Sequence, residues 1–140
     1  MQLIIEKIND TAKLPTRAHA NDAGLDLYSS ETIILKPLER SFISTGVKLA
    51  IPENYVGLVW DKSGLAVSGL HTLAGVIDAG YRGEIKIGLI NLGKEDYTIN
   101  AGQKIAQLLV QPIVCPEITE GKVDTETTRG EGGFGSTGLQ

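Results

Sequence analysis

Short runs of Ile, Val and Leu, separated by Gly, Pro, Asn and Asp, recur along the whole sequence. No run keeps a helical period for three turns, and this rhythm is typical of an all-β protein. The runs that we predict to be strands are 3–8, 32–35, 47–51, 56–60, 85–91 and 105–110. The pattern therefore predicts a sandwich or a jelly-roll-like β-barrel.

Two of these runs show the period-2 alternation of half-buried strands, in which every second side chain faces the core. The residues expected on those faces are Val47, Leu49 and Ile51 in one run and Ile85, Ile87 and Leu89 in the other. The best helical candidate is residues 63–70, which Gly64 and Gly69 should limit to a turn or two.

Size and charge exclude several classes of protein. A chain of 140 residues fits one ordinary domain. One cysteine and two histidines provide no zinc cluster, and a net charge of −4 provides no broad basic face for a nucleic acid. Residues 1–10 lack the features of a signal peptide, and no run is long enough to span a membrane. We therefore expect a cytoplasmic protein that binds neither nucleic acid nor membrane.

The composition changes near residue 117. Residues 1–116 are predicted to form the barrel, whereas residues 117–140 are rich in Gly, Thr and acidic side chains. Such a segment has too little apolar surface to offset its ordering entropy, so we predict a flexible C-terminal arm. Phe134 lies among glycines where no core can bury it, and a planar ligand would suit it. Arg129 could bind a terminal phosphate.

The segment DAGLDLYS, residues 22–29, places Asp26 between two leucines. On a strand, Leu25 and Leu27 would share one face and Asp26 would lie on the other. A solvated aspartate is one interpretation. The alternative is a carboxylate that contacts Mg²⁺ through water, because Mg²⁺ on a triphosphate keeps several waters and takes few protein ligands.

The segment DKSGLAVSGL, residues 61–70, places a Lys-Ser-Gly step directly after a predicted strand. Backbone N–H groups at the start of a helical turn, with Lys62 and Ser63, suit a phosphate. A capping turn with a solvated lysine explains the segment equally well.

The segment GVIDAGYRGEIKIGLIN, residues 75–91, is interpreted as a hairpin of two apolar strands joined by a turn. Asp78 follows an apolar pair directly, so we expect its carboxylate to be partly desolvated and able to deprotonate water. The alternative is an ordinary turn aspartate.

The last two polar segments are GQKIAQLLVQPI, residues 102–113, and RGEGGFGSTG, residues 129–138. Gln107 shares a predicted strand face with Ile105 and Leu109, so it lies either at an edge or in a site that satisfies its amide. The glycine-rich segment has Ser136 where a phosphate-binding loop would have lysine, which excludes that motif.

In this order and at these intervals, the five segments resemble the five motifs of the homotrimeric dUTP pyrophosphatase family. The sequences YRGEI after GVID and GGFGSTG near the terminus make the resemblance specific. It implies an Mg²⁺-dependent enzyme that hydrolyses dUTP to dUMP and pyrophosphate, with Asp78 activating the water. It also implies a homotrimer whose sites are shared between subunits.

The resemblance assigns further residues to the substrate. Those expected at the phosphates are Lys62, Ser63, Gly64, Gln107, Arg129, Ser136 and Thr137, and those expected at the nucleoside are Gly75, Val76, Ile77, Tyr81, Lys86, Phe134 and Gly135. Asp26 would contact Mg²⁺ through water. Tyr81 would exclude a 2′-hydroxyl, and the hairpin backbone near Gly75 and Lys86 would read the uracil.

Two positions depart from the family pattern. Lys62 stands where the family usually has arginine, which keeps the charge but loses the planar fork. Thr72 stands where some members have an asparagine that reads the base. The alternatives to a dUTP pyrophosphatase are a dCTP deaminase of the same fold and a nonenzymatic trimeric nucleotide-binding protein. Gly88 argues against the deaminase, because it occupies the place of that enzyme's catalytic glutamate.

Overall fold

The structure, a computed structural model, describes residues 2–133. Over this part of the chain it is built from strands and one short helix: β1 Ile4–Lys7, β2 Leu25–Tyr28, β3 Ile33–Leu35, β4 Arg40–Ala50, β5 Tyr55–Trp60, α1 Ser63–Val67, β6 Leu70–Leu73, β7 Val76–Ile77, β8 Glu84–Asn91, β9 Tyr97–Ile99 and β10 Lys104–Pro112. No helix among residues 2–133 is both long and apolar enough to cross a membrane.

The strands form two main antiparallel sheets. One has the order β1-β4-β8-β6 and the other β2-β10-β5-β7, while β3 and β9 form a separate two-stranded ladder. Side chains from both main sheets meet in one buried cluster, which includes Leu27, Ile43, Ile87 and Leu108. Two sheets that share one apolar core confirm the predicted all-β sandwich or barrel.

The expected alternation is confirmed in the two strands where the sequence shows it. All of the predicted core-facing residues of β4, β8 and the turn after β4 are at most 2% exposed: Val47, Leu49, Ile51, Ile85, Ile87 and Leu89. The helix ends earlier than expected, because Gly69 has φ +88° and Leu70 already begins β6. The sequence pattern also missed β9 and the first half of β4.

The predicted hairpin over residues 75–91 is wrong. β7 pairs with β5 in one sheet, whereas β8 pairs with β4 and β6 in the other. The hairpin partner of β8 is β6, with Leu73 opposite Gly88, and residues 74–83 leave the sheet between these two strands. Ala74 and Gly75, with φ +62° and +121°, turn the chain out of one sheet into the other. The sequence shows two apolar runs on either side of a turn, but it does not show that each run pairs in a different sheet.

A bulge in β4 fixes the point at which the 74–83 excursion returns to the sheet. Gly46 has φ +70° where the β4–β8 register shifts, and its N–H donates to Glu84 Oε1 at 2.9 Å. Thr45 donates to the carbonyl of Ile85 at 2.5 Å. An αL glycine at a bulge frees backbone groups for such side-chain bonds. The start of β8, and with it the end of the 74–83 excursion, is therefore fixed to β4.

The chain after β10 is exposed and irregular. Within the described part, residues 117–133 form hydrogen bonds only among themselves. Ile118 is 96% exposed and Val123 is 81% exposed. Among the described residues, the last hydrogen bond of this segment to the barrel is that of Ile113 N–H to the carbonyl of Asn54, a few residues before the predicted boundary. The boundary near residue 117 and the flexibility of the arm stay predictions.

Candidate active site

The 74–83 excursion and the adjoining half of β8 enclose a cavity of about 400 Å³, which we call the loop cavity. Several residues predicted to contact the nucleoside or the water line it together: Gly75, Val76, Ile77, Asp78, Tyr81 and Lys86. The structure thus brings the third predicted motif into one concave site, although the hairpin that was expected to form it does not exist.

Internal hydrogen bonds hold the loop cavity in shape. Tyr81 N–H donates to the carbonyl of Asp78 at 3.0 Å, and Tyr81 Oη donates to the carbonyl of Glu84 at 3.0 Å. Arg82 Nη1 donates to the carbonyls of Ala79 and Tyr81 at 2.6 and 2.8 Å. Tyr81 is thus held by its backbone to Asp78 and by its hydroxyl to Glu84, which orients its side chain at one wall of the cavity.

Asp78 differs from the expectation of a partly desolvated carboxylate, because its side chain is exposed in this chain. The preceding residue, Ile77, is buried in β7, and the turn that follows carries Asp78 out of the sheet. The expected desolvation is therefore wrong for the chain by itself. An exposed carboxylate at the wall of a cavity remains accessible to water.

The sequence did not single out Phe42 or Glu84, which also line the loop cavity. Gly88 lies beside them, and a Cβ there would come within 2.9 Å of the carbonyl oxygen of Leu73 and 3.1 Å of Phe42 Cε1. A glycine inside an apolar strand is a signal of close approach, and here it marks the crowded floor of the cavity.

A second cavity, of about 360 Å³, contains the charged groups of the other motifs, and we call it the lysine cavity. Asp26 is only 6% exposed and accepts hydrogen bonds from Lys62 at Oδ1 and from Lys104, 2.6 Å away, at Oδ2. The solvated interpretation of Asp26 is therefore wrong, and so is that of Lys62. Both side chains are committed to one buried ion cluster.

The cluster sets the charge state of its members. Burial alone would raise the pKa of Asp26, but the hydrogen bonds from Lys104 and Lys62 outweigh it and lower the pKa below the ordinary 3.8. The hydrogen bond to Asp26 raises the pKa of Lys104. Asp26 is thus ionised and Lys104 is protonated at neutral pH.

Strand pairing explains why these residues meet. β10 lies between β2 and β5, with Gln107 opposite Asp26 on one side and Trp60 on the other. On a regular strand Lys104 and Gln107 would point to opposite faces. A register shift between Lys104 and Ala106 changes the phase, so both line the lysine cavity. Sequence reasoning missed Lys104 because an irregularity of pairing is invisible in the sequence.

Gln107 is hydrogen-bonded in the site rather than placed at a sheet edge. Its Nε2 donates to the carbonyl of Asp61 at 2.8 Å, and its Oε1 lies where a Cβ on Gly24 would have to be. Gly24 is therefore a further residue of the site that the sequence did not reveal, because it makes room for the glutamine side chain.

Asp61 organises the segment that carries Lys62. Its carboxylate accepts a hydrogen bond from Thr72 N–H at 2.7 Å and lies 2.7 Å from His71 Nδ1. Burial would raise the pKa of Asp61, yet these partners lower it. Ser63 begins α1 and is exposed beside Gly64, and neither lines the two cavities.

The remaining predicted residues belong to the arm. Arg129 is exposed, and its Nε donates to the carbonyl of Gly132 at 3.0 Å. Phe134, Gly135, Ser136 and Thr137 lie outside the described residues. Their predicted contacts with the substrate stay predictions.

Residues 2–133 contain no group of three or more His, Cys, Asp or Glu side chains that could hold a metal ion. Asp26 offers one carboxylate, which already accepts two ammonium groups. Positive neighbours disfavour a free cation. This donor set suits an Mg²⁺ ion only where another ligand brings further oxygen atoms, and the predicted contact of Asp26 with Mg²⁺ through water stays a prediction.

Known proteins resemble this chain over nearly its whole length. A model of the dUTPase family matches residues 10–138. The chain is 50% identical over 141 residues to the deoxyuridine 5′-triphosphate nucleotidohydrolase of Clostridium kluyveri, with 99% of each chain covered. This chain belongs to the dUTPase family.

Solved structures of dUTPases share the fold. A mutant dUTPase of Staphylococcus bacteriophage 80alpha, solved with dUpNHpp, matches with a TM-score of 0.93, 33% identity and 99% coverage of both chains. A mutant dUTPase from phage phi11 of S. aureus, described with a structural Mg(II) ion, matches with a TM-score of 0.83 and 33% identity. That match covers 88% of this chain and 98% of the phage protein. The family resemblance read from the motifs is confirmed.

The crowding at Gly24 gives a first test of the site. We expect Gly24→Ala to fold normally but to displace the Gln107 side chain, because the clash falls on the end of a flexible side chain and not on backbone. A crystal structure should show Gln107 in another rotamer without its bond to Asp61. Gly121→Ala, where a Cβ meets nothing within 4 Å, is the control. An unmoved Gln107 would contradict the crowding argument.

Proposed function

We propose that this chain hydrolyses dUTP to dUMP and pyrophosphate, which limits uracil incorporation into DNA and supplies dUMP for dTMP synthesis. The observation that carries the proposal is the loop cavity of a dUTPase-family chain, in which Asp78 and Tyr81 lie with the residues expected to hold the nucleoside. The substrate is an intracellular nucleotide, which agrees with the expected cytoplasmic location.

Asp78 is proposed as the general base. Its carboxylate takes a proton from a water molecule, whose oxygen forms a bond to the α-phosphorus while the bond to the leaving pyrophosphate breaks. The exposure of Asp78 supports this role, since the water must reach the carboxylate from solvent. Assembly and substrate would then supply the desolvation that the isolated chain lacks.

Tyr81 is proposed to select the deoxyribose. Its hydroxyl is bonded to the carbonyl of Glu84, so the ring cannot swing aside for a 2′-hydroxyl without breaking that bond. The peptide groups near Gly75 and Lys86 are proposed to pair with the uracil edge, whose N–H and carbonyls resemble an amide. The αL corner at Ala74 and Gly75 fixes the first of these segments.

Lys62, Ser63, Gly64 and Gln107 are proposed to hold the phosphates. Asp26 would contact Mg²⁺ through water, and Mg²⁺ bound to the triphosphate supplies neutralisation of the charge that develops on the leaving pyrophosphate. The protein's own part would be to hold the Lys62 ammonium group in the cavity that Gln107 also lines. The ion pair between Lys62 and Asp26 supports this role.

The assembly is proposed to be a homotrimer with shared sites. Within one described chain, the residues that line the loop cavity and those that line the lysine cavity have none in common. A substrate that needs both sets would bind where two chains meet, and the arm with Arg129 and Phe134 would close over a pocket whose Asp78 belongs to a neighbouring subunit. The exposed irregular arm supports a segment that is ordered by ligand and partner surface.

Neither alternative gains support from the structure. A deaminase glutamate in place of Gly88 would require a Cβ within 2.9 Å of the Leu73 carbonyl oxygen, a contact that real side chains do not make. A nonenzymatic nucleotide-binding protein would have no need for an exposed carboxylate at the wall of the cavity. Release of pyrophosphate from dUTP separates an enzyme from a binding protein.

We expect the purified protein with Mg²⁺ to release pyrophosphate from dUTP and to prefer it over UTP, dTTP and dCTP. Tyr81 should exclude the 2′-hydroxyl, and the narrow loop cavity should exclude a 5-methyl group and the amino edge of cytosine. The measurement is kcat/KM for each nucleotide by pyrophosphate release. Comparable values for dUTP and dTTP would show that the loop cavity does not read the base.

We expect Asp78→Asn to bind dUpNHpp like the wild type but to hydrolyse dUTP roughly 10²- to 10⁴-fold more slowly, because an amide keeps the shape and cannot accept the proton. Single-turnover kinetics separate this step from binding. Asp96→Asn, at an exposed position outside both cavities, is the matched control. Near-normal turnover in Asp78→Asn would refute the assignment of the base.

Mixed trimers test the shared site. A variant that lacks residues 128–140 and the variant Asp78→Asn should each be nearly inactive. Refolded together, they should regain part of the activity, because a mixed site can combine an intact Asp78 with an intact arm from the other chain. Each variant refolded alone is the control. Mixed trimers that form, as mass spectrometry would show, but remain as inactive as both parents would establish that the arm acts within its own chain.

A further inference from the structure

Lys104 lines the lysine cavity, but the proposed function assigns no role to it. Its ammonium nitrogen lies 2.6 Å from Asp26 Oδ2, while Lys62 occupies Oδ1 of the same carboxylate. The two ammonium groups are therefore held side by side by one buried anion.

Both ammonium groups keep donors for another partner. An ammonium group carries three N–H donors, and the bond to Asp26 uses one on each lysine. The Lys104 side chain is 45% exposed and that of Lys62 is 29% exposed, so each reaches the cavity. The Asp26 carboxylate has no donor to offer an anion, and its role toward one is to hold the two ammonium groups.

The other polar groups of the cavity do not compete for these donors. Asp22 also lines the cavity, but its Oδ2 accepts the N–H of His19 at 2.9 Å. Gln107 is bonded through Nε2 to the Asp61 carbonyl. The cluster of Lys62, Asp26 and Lys104 carries a net charge of +1, although Asp22 brings the formal charge of the whole lining to zero. An anion would therefore bind at the two ammonium groups and not at the Asp22 side.

We propose that Lys104 is a second cationic phosphate-binding residue, which Asp26 positions beside Lys62. The proposal rests on the proposed function, since the phosphate is that of the deoxyuridine nucleotide. A single lysine is a point charge and cannot reproduce the two-pronged donor of an arginine. Two lysines held on one carboxylate provide two cationic donors, which would compensate for the lysine that stands at position 62 where the family usually has arginine.

The test compares ligands that differ only in phosphate. Affinities for deoxyuridine and dUMP are measured by calorimetry at saturating Mg²⁺ for the wild type, Lys104→Ala and Lys104→Arg. We expect Lys104→Ala to weaken dUMP binding roughly ten- to a hundredfold, the range for loss of a charge-assisted hydrogen bond, while deoxyuridine binding stays unchanged. Lys104→Arg should restore most of the loss. Lys94→Ala, at an exposed lysine outside this cavity, should bind both ligands like the wild type.

Two results would overturn the proposal. If Lys104→Ala bound dUMP as tightly as the wild type, Lys104 would not contact phosphate. If it lost affinity for deoxyuridine and dUMP by the same factor, its role would be structural. Failure of the proposed function would be seen in a different measurement. The wild-type protein itself would then release no pyrophosphate from dUTP.

Discussion

The pairing of β10 with β2 on one side and β5 on the other is the constraint on which the charged site depends. It places Gln107 opposite Asp26 and Trp60, so the first, second and fourth motifs meet although they are far apart in the sequence. The register shift beside Lys104 then adds a second ammonium group to the same cavity. Because the flanking side chains Leu27, Ile105 and Leu108 are almost fully buried, a slip of the register would remove them from the core.

A buried carboxylate between two lysines also decides what the site can bind. An isolated ionised aspartate at 6% exposure would be costly, and two adjacent ammonium groups would repel each other. Together the three groups satisfy one another and leave one positive charge in excess. The cluster therefore presents two ammonium groups to an anion before any ligand arrives, while Asp22 balances the formal charge of the whole cavity lining.

The sequence predicted the fold class and singled out several of the residues that line the two cavities, because both are carried by local patterns. Alternation identified the core faces of β4 and β8, and the motifs identified Asp78, Tyr81, Lys62 and Gln107. What it could not predict depends on pairing between distant strands. The hairpin was wrong because β7 and β8 join different sheets, and Lys104 was missed because a bulge sets its direction. The exposure of Asp78 likewise follows from the turn after β7 and not from its apolar neighbours.

The 74–83 excursion begins and ends at directly paired residues, Leu73 and Gly88 being opposite each other with only the first residues of β8 between. Its length can therefore change without shifting the register of β6 on β8. The first part of the excursion is still constrained by the barrel, because β7 pairs with β5 and Ile77 is buried in the core. Residues 78–83 lie outside both sheets, so the length of this turn can vary during evolution, or by design, while the stability of the sheets is retained.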